Sequence, residues 1–146
     1  MVSLARQYGN GPCALSLVAQ DSNVPSAYLE QLLGVLRRSG LVASTRGAHG
    51  GYQLSRPPAD IRVGEIYRVL EGPVAPMDCV SEVESDDMCP LIDGCATRVV
   101  WLKVRDNIVE ALDSTTLDDL ITQSRPKRQR PIEISLDTAS SGSAGD

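Results

Sequence analysis

The stretch from Ala14 to Leu54 constrains this chain most: two short helical patterns are followed at once by a glycine-tipped hairpin. Ala14 to Gln20 (ALSLVAQ) has helical spacing, with Leu15, Val18 and Ala19 suited to an inward face. Asp21-Ser22-Asn23 reads as a turn. Pro25 then opens a stronger helix, PSAYLEQLLGVLRRSG, with proline in its first turn and Gly40 as its stop. Leu29, Leu32, Leu33 and Leu36 form its apolar face, while Ser26, Ala27, Glu30, Gln31, Arg37 and Arg38 lie mostly elsewhere. Two short helices joined by a tight turn, the second carrying Ser, Tyr28, Gln and Arg, make a helix-turn-helix pattern. Many helical bundles contain such a hairpin, so the next segment decides.

Leu41 to Arg46 (LVASTR) is strand-like, GAHGG follows, and Tyr52-Gln53-Leu54 returns. The glycines permit positive φ and a close backbone approach to a ligand. Arg46 stands at the base of the tip and His49 at its crest. Alone, RGAHGG is a tight hairpin. Directly after a recognition helix it reads as the wing of a winged helix, which reaches phosphates or the minor groove.

Around this unit the pattern is helical. Met1 to Tyr8 reads as a piece of helix stopped by Asn10-Gly11-Pro12, and Cys13 after it reads as a small buried hydrophobe. Pro57-Pro58 ends the wing, and Val63 to Glu71 (VGEIYRVLE) forms an amphipathic helix closed by Gly72-Pro73. From Ala96 to Asp113 runs a long helix. Ala96, Val99, Val100, Lys103, Val104, Asn107, Ile108, Ala111 and Leu112 trace one stripe on it. Trp101, Leu102 and Val109 widen its apolar surface beyond one side. A helix apolar on more than one face is buried in a core or at an interface. In so small a chain a dimer seam is the expected use. Thr115 with Asp118 makes a cap-like start for TLDDLITQ. From Ser124 onward Pro, Ser, Gly and charge dominate, including the basic run RPKRQRP, and a disordered tail is expected.

The expected architecture is mainly α with a small β-hairpin wing. It comprises a winged helix-turn-helix over 1–72, a cysteine-containing loop over 73–95, a dimerisation helix and terminal helix over 96–123, and a tail over 124–146. With no Phe and 3% aromatic residues, the core is built from Leu, Val, Ile and Ala. The net charge of −5 is unevenly spread: residues 1–72 carry +2 and residues 73–124 carry −8. Any nucleic acid is therefore expected to meet the first segment. No apolar run approaches the roughly 20 residues of a membrane helix, and a cytoplasmic protein is expected. The single His lies on the hairpin tip, and no nucleophile–base set or phosphate loop is present, which argues against an enzyme.

Three cysteines, Cys79, Cys89 and Cys95, fall in the acidic stretch DCVSEVESDDMCPLIDGC, which reads as a loop. In a reducing compartment clustered cysteines point to metal or redox chemistry more than to disulfides. Three thiolates suit an iron–sulfur cluster, could hold zinc with a fourth ligand, or could form a thiol switch.

These residues resemble the Rrf family of bacterial regulators, the family of IscR, NsrR, RirA and CymR. The matching pieces are GPCALSLVAQDSNVPSAYLEQLL, LRRSGLVASTRGAHGGYQLSRPP, IRVGEIYRVLEG, the spaced cysteines and STTLDDLI, over roughly residues 1 to 123. RGAHGGYQL is the most specific piece, matching the family's RGxxGGYxL wing. The resemblance implies a homodimeric regulator, repressor in type, of double-stranded promoter DNA. It places Tyr28, Leu29, Glu30 and Gln31 in the recognition helix and Arg46 in the wing, positions that approach bases and backbone. Ser26, Ala27, Tyr28, Glu30, Gln31, Arg37, Arg38, Arg46 and His49 make the candidate DNA-binding set. It also implies an iron–sulfur cluster, two-iron or four-iron, on Cys79, Cys89 and Cys95, or, as in CymR, a regulator without a cluster that answers to thiol state, cysteine metabolism or a partner protein. Two departures stand out. Family members begin earlier, with a basic N-terminal stretch. Members like IscR place a His three residues after the last Cys, where this chain has Arg98.

Overall fold

The computed structural model describes residues 1–47, 49–83, 89 and 92–123. The expected disordered tail and its basic run lie outside these residues. In chain order the helices are α1 (Val2–Arg6), α2 (Leu15–Ser22), α3 (Ser26–Arg38), α4 (Val63–Glu71), α5 (Arg98–Ser114) and α6 (Leu117–Gln123). Between α3 and α4 lie strands β1 (Val42–Thr45) and β2 (Gly51–Leu54), and short 3-10 turns occupy Pro58–Asp60 and Asp78–Val80.

Helix α3 forms where its leucine spacing predicts. Leu29, Leu33 and Leu36 recur on one face and are buried. Removing one such side chain from water is worth about 1.5–3 kcal/mol. The helix stops because Gly40 takes φ +77 and Leu41 donates its N–H to the Leu36 carbonyl at 3.0 Å. Helix α2 differs from the expectation, since it continues through Asp21 and Ser22 rather than turning there. Ser22 Oγ donates to the Val18 carbonyl at 2.6 Å, so its hydroxyl serves the helix. Asn23, at φ 53, makes the stop, and Asn tolerates this left-handed region better than most residues.

Strands β1 and β2 pair antiparallel from Val42↔Leu54 to Thr45↔Gly51. A third, single-residue partner joins them: Cys13 and Tyr52 exchange both backbone hydrogen bonds, at 2.8 and 2.9 Å. Cys13 is thus half-buried against the core through a strand-like bridge. Residue 51 is glycine because a Cβ there would lie 2.2 Å from the Cys13 carbonyl oxygen.

The core gathers Leu4, Ala5, Val18, Leu29, Leu33, Leu36, Leu41, Val42, Leu54 and Ile61 with Leu117 from the far end of the chain. Helix α6 returns to pack on α1. A short bridge sets its entry, with Val63 N–H donating to Thr115 and Leu117 N–H to Ile61, both at 2.9 Å. The cap of α6 falls one residue later than expected, on Thr116 and Asp119. Asp119 N–H donates to Thr116 Oγ1 at 3.1 Å, and Thr116 N–H donates to Asp119 Oδ2 at 2.8 Å.

Helix α5 has no fully buried residue. Trp101, Leu102, Arg105, Val109 and Leu112 are half-buried toward their own chain. Val99 and Val100, each 59% exposed, continue with Val104 and Ile108 as an outward apolar stripe. The predicted seam and the residues that widen it therefore face opposite ways, with Leu112 alone passing from the seam to the inner side.

Candidate nucleic-acid interface and cysteine segment

Packing of the leucine face leaves the other side of α3 in solvent. Ser26, Ala27, Tyr28, Glu30, Gln31, Arg37 and Arg38 are all exposed, as are Arg46 and His49 on the wing. Small residues shape this face. Ala27 and Gly34 open a shallow trough bordered by Glu30, Gln31 and Arg38. Gly34 escaped the reading of the sequence. The signal for it was a glycine inside a strong helix, where it costs about 1 kcal/mol relative to alanine and so marks a need for space.

The wing is tied to the recognition helix. Arg37 Nη1 donates to Ser44 Oγ at 3.2 Å, bridging the end of α3 to β1. The guanidinium carries five donors, so this bond leaves others for phosphate. Between helix and wing lies a cleft of about 320 Å³ bordered by Arg37, Ser44, Thr45 and Arg46. Such a surface combines a helix of a size the major groove admits with side-chain types able to pair with base edges and with cations able to meet phosphate.

The cysteine segment is built differently. Cys79 lies in the 3-10 turn Asp78–Val80 and is half-buried. Cys89 is exposed, while Cys95 is half-buried just before α5. The Cys95 sulfur lies 3.2 Å from Thr97 Oγ1. That hydrogen bond, followed by the backbone N–H groups of Thr97 and Arg98 and the Arg98 charge, holds the Cys95 thiol below the ordinary thiol range. Arg98 Nε donates to the Cys79 carbonyl at 3.3 Å, and Arg98 N–H donates to the Cys95 carbonyl at 3.2 Å. One arginine therefore links the two cysteines. Arg105 Nη1 adds a 3.3 Å bond to the Val80 carbonyl.

This donor set does not close around a metal among the described residues. Among the described residues, no three His, Cys, Asp or Glu side chains converge as a ligand group. Thiolates suit iron–sulfur clusters and zinc, and either metal centre takes further ligands beyond three thiolates. At Arg98, where members like IscR place a histidine, stands a permanently protonated guanidinium, which donates hydrogen bonds and does not ligate.

No helix among the described residues is long and apolar enough to cross a membrane. The family model described as "Rrf2: Iron-dependent Transcriptional regulator" matches residues 1–123. The HTH-type transcriptional regulator CymR of Bacillus subtilis is 45% identical over 120 residues, covering 82% of this chain and 80% of that protein. The solved structure of B. subtilis CymR, titled the global cysteine regulator, superposes with a TM-score of 0.69 at 44% identity, covering 84% of this chain and 88% of that one. The IscR structure from T. potens gives the same TM-score at 40% identity, over 88% and 82% of the two chains. These relatives are regulators and not enzymes, and their winged-helix architecture is the one seen here. With an exposed recognition helix, a wing braced against it and a family match that runs to the end of α6, this chain belongs to the Rrf2 family of transcriptional regulators.

Proposed function

We infer that this protein is a homodimeric promoter-binding regulator whose DNA affinity follows the thiol state of Cys79, Cys89 and Cys95. The observation that carries the reading is the joint anchoring of Cys79 and Cys95 by Arg98. The arginine bonds the backbone of both, while Thr97 and α5's first turn favour the Cys95 thiolate. A thiolate is the reactive form of cysteine, so oxidation or alkylation there disturbs the anchoring. The similarity to CymR, a cysteine regulator, supports this choice.

DNA recognition falls to α3 and the wing. Gln31 and Glu30 suit adenine and cytosine edges, Arg37 and Arg38 suit phosphate, and Arg46 suits guanine or a narrow minor groove. The outward stripe of Val99, Val100, Val104 and Ile108 supplies the seam to a second copy. A shift of the cysteine segment then changes the spacing of the two recognition helices. Coupling of this kind typically spans about 1–3 kcal/mol, or roughly 5–150-fold in affinity. The test is binding of genomic promoter fragments by fluorescence anisotropy, with reduced and diamide-oxidised protein. Equal affinity in the two states removes the thiol reading, and no salt-sensitive, sequence-selective binding in either removes DNA as the partner.

A second reading is favoured by the three spaced thiols and the similarity to IscR of T. potens: a cluster completed by a ligand from beyond the described residues of this chain. Anaerobic reconstitution separates the two. Charge-transfer absorption between about 320 and 460 nm supports the cluster, and its absence leaves the thiols to act alone.

A further inference from the structure

Arg68, in the last turn of α4, bonds two carboxylates at once. Its Nη1 and Nη2 donate to both carboxylate oxygens of Asp113 near the end of α5, at 2.7 and 2.9 Å. Its Nε and Nη2 donate to Glu82 at 3.0 and 2.7 Å. One guanidinium therefore forks onto two carboxylates from two different segments, a geometry lysine cannot reproduce.

Glu82 belongs to the cysteine segment, three residues after Cys79. It also accepts the Val74 N–H at 2.7 Å, while its own N–H donates to the Val74 carbonyl at 3.3 Å. Val74 and Val80 are buried beneath it. Asp113 presses on the first turn of α4, where a Cβ on Gly64 would lie 1.8 Å from Asp113 Oδ1. Helix α4 in turn packs against α3. A continuous line of contacts thus runs from Cys79 through Glu82 and Arg68 to the helix that carries the candidate DNA-binding face.

We propose that Arg68 is a latch that transmits the state of the cysteine segment to the reading head. When Glu82 is seated, Arg68 locks α4 to both that segment and α5. When a change at the cysteines withdraws Glu82, Arg68 retains Asp113 alone and α4 is free to shift with α3. The side chains of Arg68, Glu82 and Asp113 are 31%, 22% and 41% exposed. Water therefore competes for each bond, and the latch opens without stranding a buried charge. This inference rests on the reading that the three cysteines are the input.

The test uses the full chain in a Cys13→Ala background, so that only Cys79, Cys89 and Cys95 react with iodoacetamide. Promoter affinity is measured for reduced and alkylated protein, with Glu82 intact and with Glu82→Ala. Thermal melting is followed in parallel. With Glu82 intact, the two states differ by roughly 5–150-fold. Glu82→Ala brings the ratio to about one and sets the affinity at the alkylated limit, while Arg68→Lys gives an intermediate ratio. A purely structural ion pair would lower the melting temperature and leave the ratio intact, and a retained ratio overturns the latch. If the protein with Glu82 intact does not respond to alkylation, the cysteine input is wrong. The latch then stands as a coupling device only if Glu82→Ala still changes affinity by about fivefold or more, and unchanged affinity overturns it.

Discussion

The reading head and the cysteine segment with α5 follow opposite rules of construction. The head satisfies itself: Leu33, Leu36, Ile61 and Leu117 are buried within one chain, and even the wing is braced by Cys13 and Arg37. The second region is left open. Helix α5 buries no residue completely and its valine stripe faces outward, while the cysteines ahead of it form no closed ligand set among the described residues. Under the proposed function, a well-packed head joined to a more open second half would place the response in the second half.

The largest effect that tests this contrast is Leu33→Ala. It should cost about 2–5 kcal/mol in denaturant unfolding, because the surrounding head cannot collapse onto the cavity. Val100→Ala on the outer stripe should change the stability of one isolated chain by no more than about 0.5 kcal/mol. Equal losses at the two sites would break the contrast. Val100→Asp sharpens it from the other side: if the stripe is the proposed seam, burying a carboxylate there should shift the sedimenting species from dimer toward monomer. An unchanged dimer would move the seam elsewhere.

Next in size is Arg46→Ala. It should weaken promoter binding by about 1–3 kcal/mol with an unaltered melting temperature, because Arg46 is exposed and carries no core contact. Unchanged affinity would take the wing base out of the interface. Thr116→Ala should cost about 1 kcal/mol through loss of the α6 cap, a test of whether α6 belongs energetically to the head.

The smallest effect is a pH dependence at the junction of the two regions. Hydrogen bonds from Arg68 hold the Glu82 and Asp113 carboxyl groups below their ordinary range and raise the Arg68 value. Folded carboxylates with depressed values contribute stability above their unfolded values, about 4.3 for Glu and 3.9 for Asp. That contribution is lost as pH falls through the folded values. The stability difference between Glu82 and Glu82→Gln proteins should therefore be full at neutral pH, begin to fall near the unfolded value of about 4.3, and vanish only once pH has dropped below the depressed folded value. Partial exposure and salt keep it modest. A difference that grew on acidification would refute the assigned pairing.

Much of the head was legible because its signals are local. Leucine spacing placed α3, Gly40 placed its end, and VGEIYRVLE gave α4 with the boundaries observed. The outer face of α3 followed by subtraction. Local signals also misled in places. Asp21-Ser22-Asn23 has turn composition, yet the Ser22 hydroxyl serves the helix and only Asn23 leaves it. The α6 cap sits one residue from its expected place because Thr115 donates instead to the Ala111 carbonyl at 2.7 Å.

The sequence by itself determined the kind of molecule: helical periodicity, a glycine-tipped wing and an aliphatic composition are properties of neighbouring residues. Only the tertiary structure decided which side of α5 turns outward, that Leu117 completes a core begun at Leu4, and that Arg68 joins Glu82 and Asp113. Those facts depend on pairs 14 to 113 residues apart, and no periodicity records them. They are settled when the chain closes and each buried or charged group must find its partner in space.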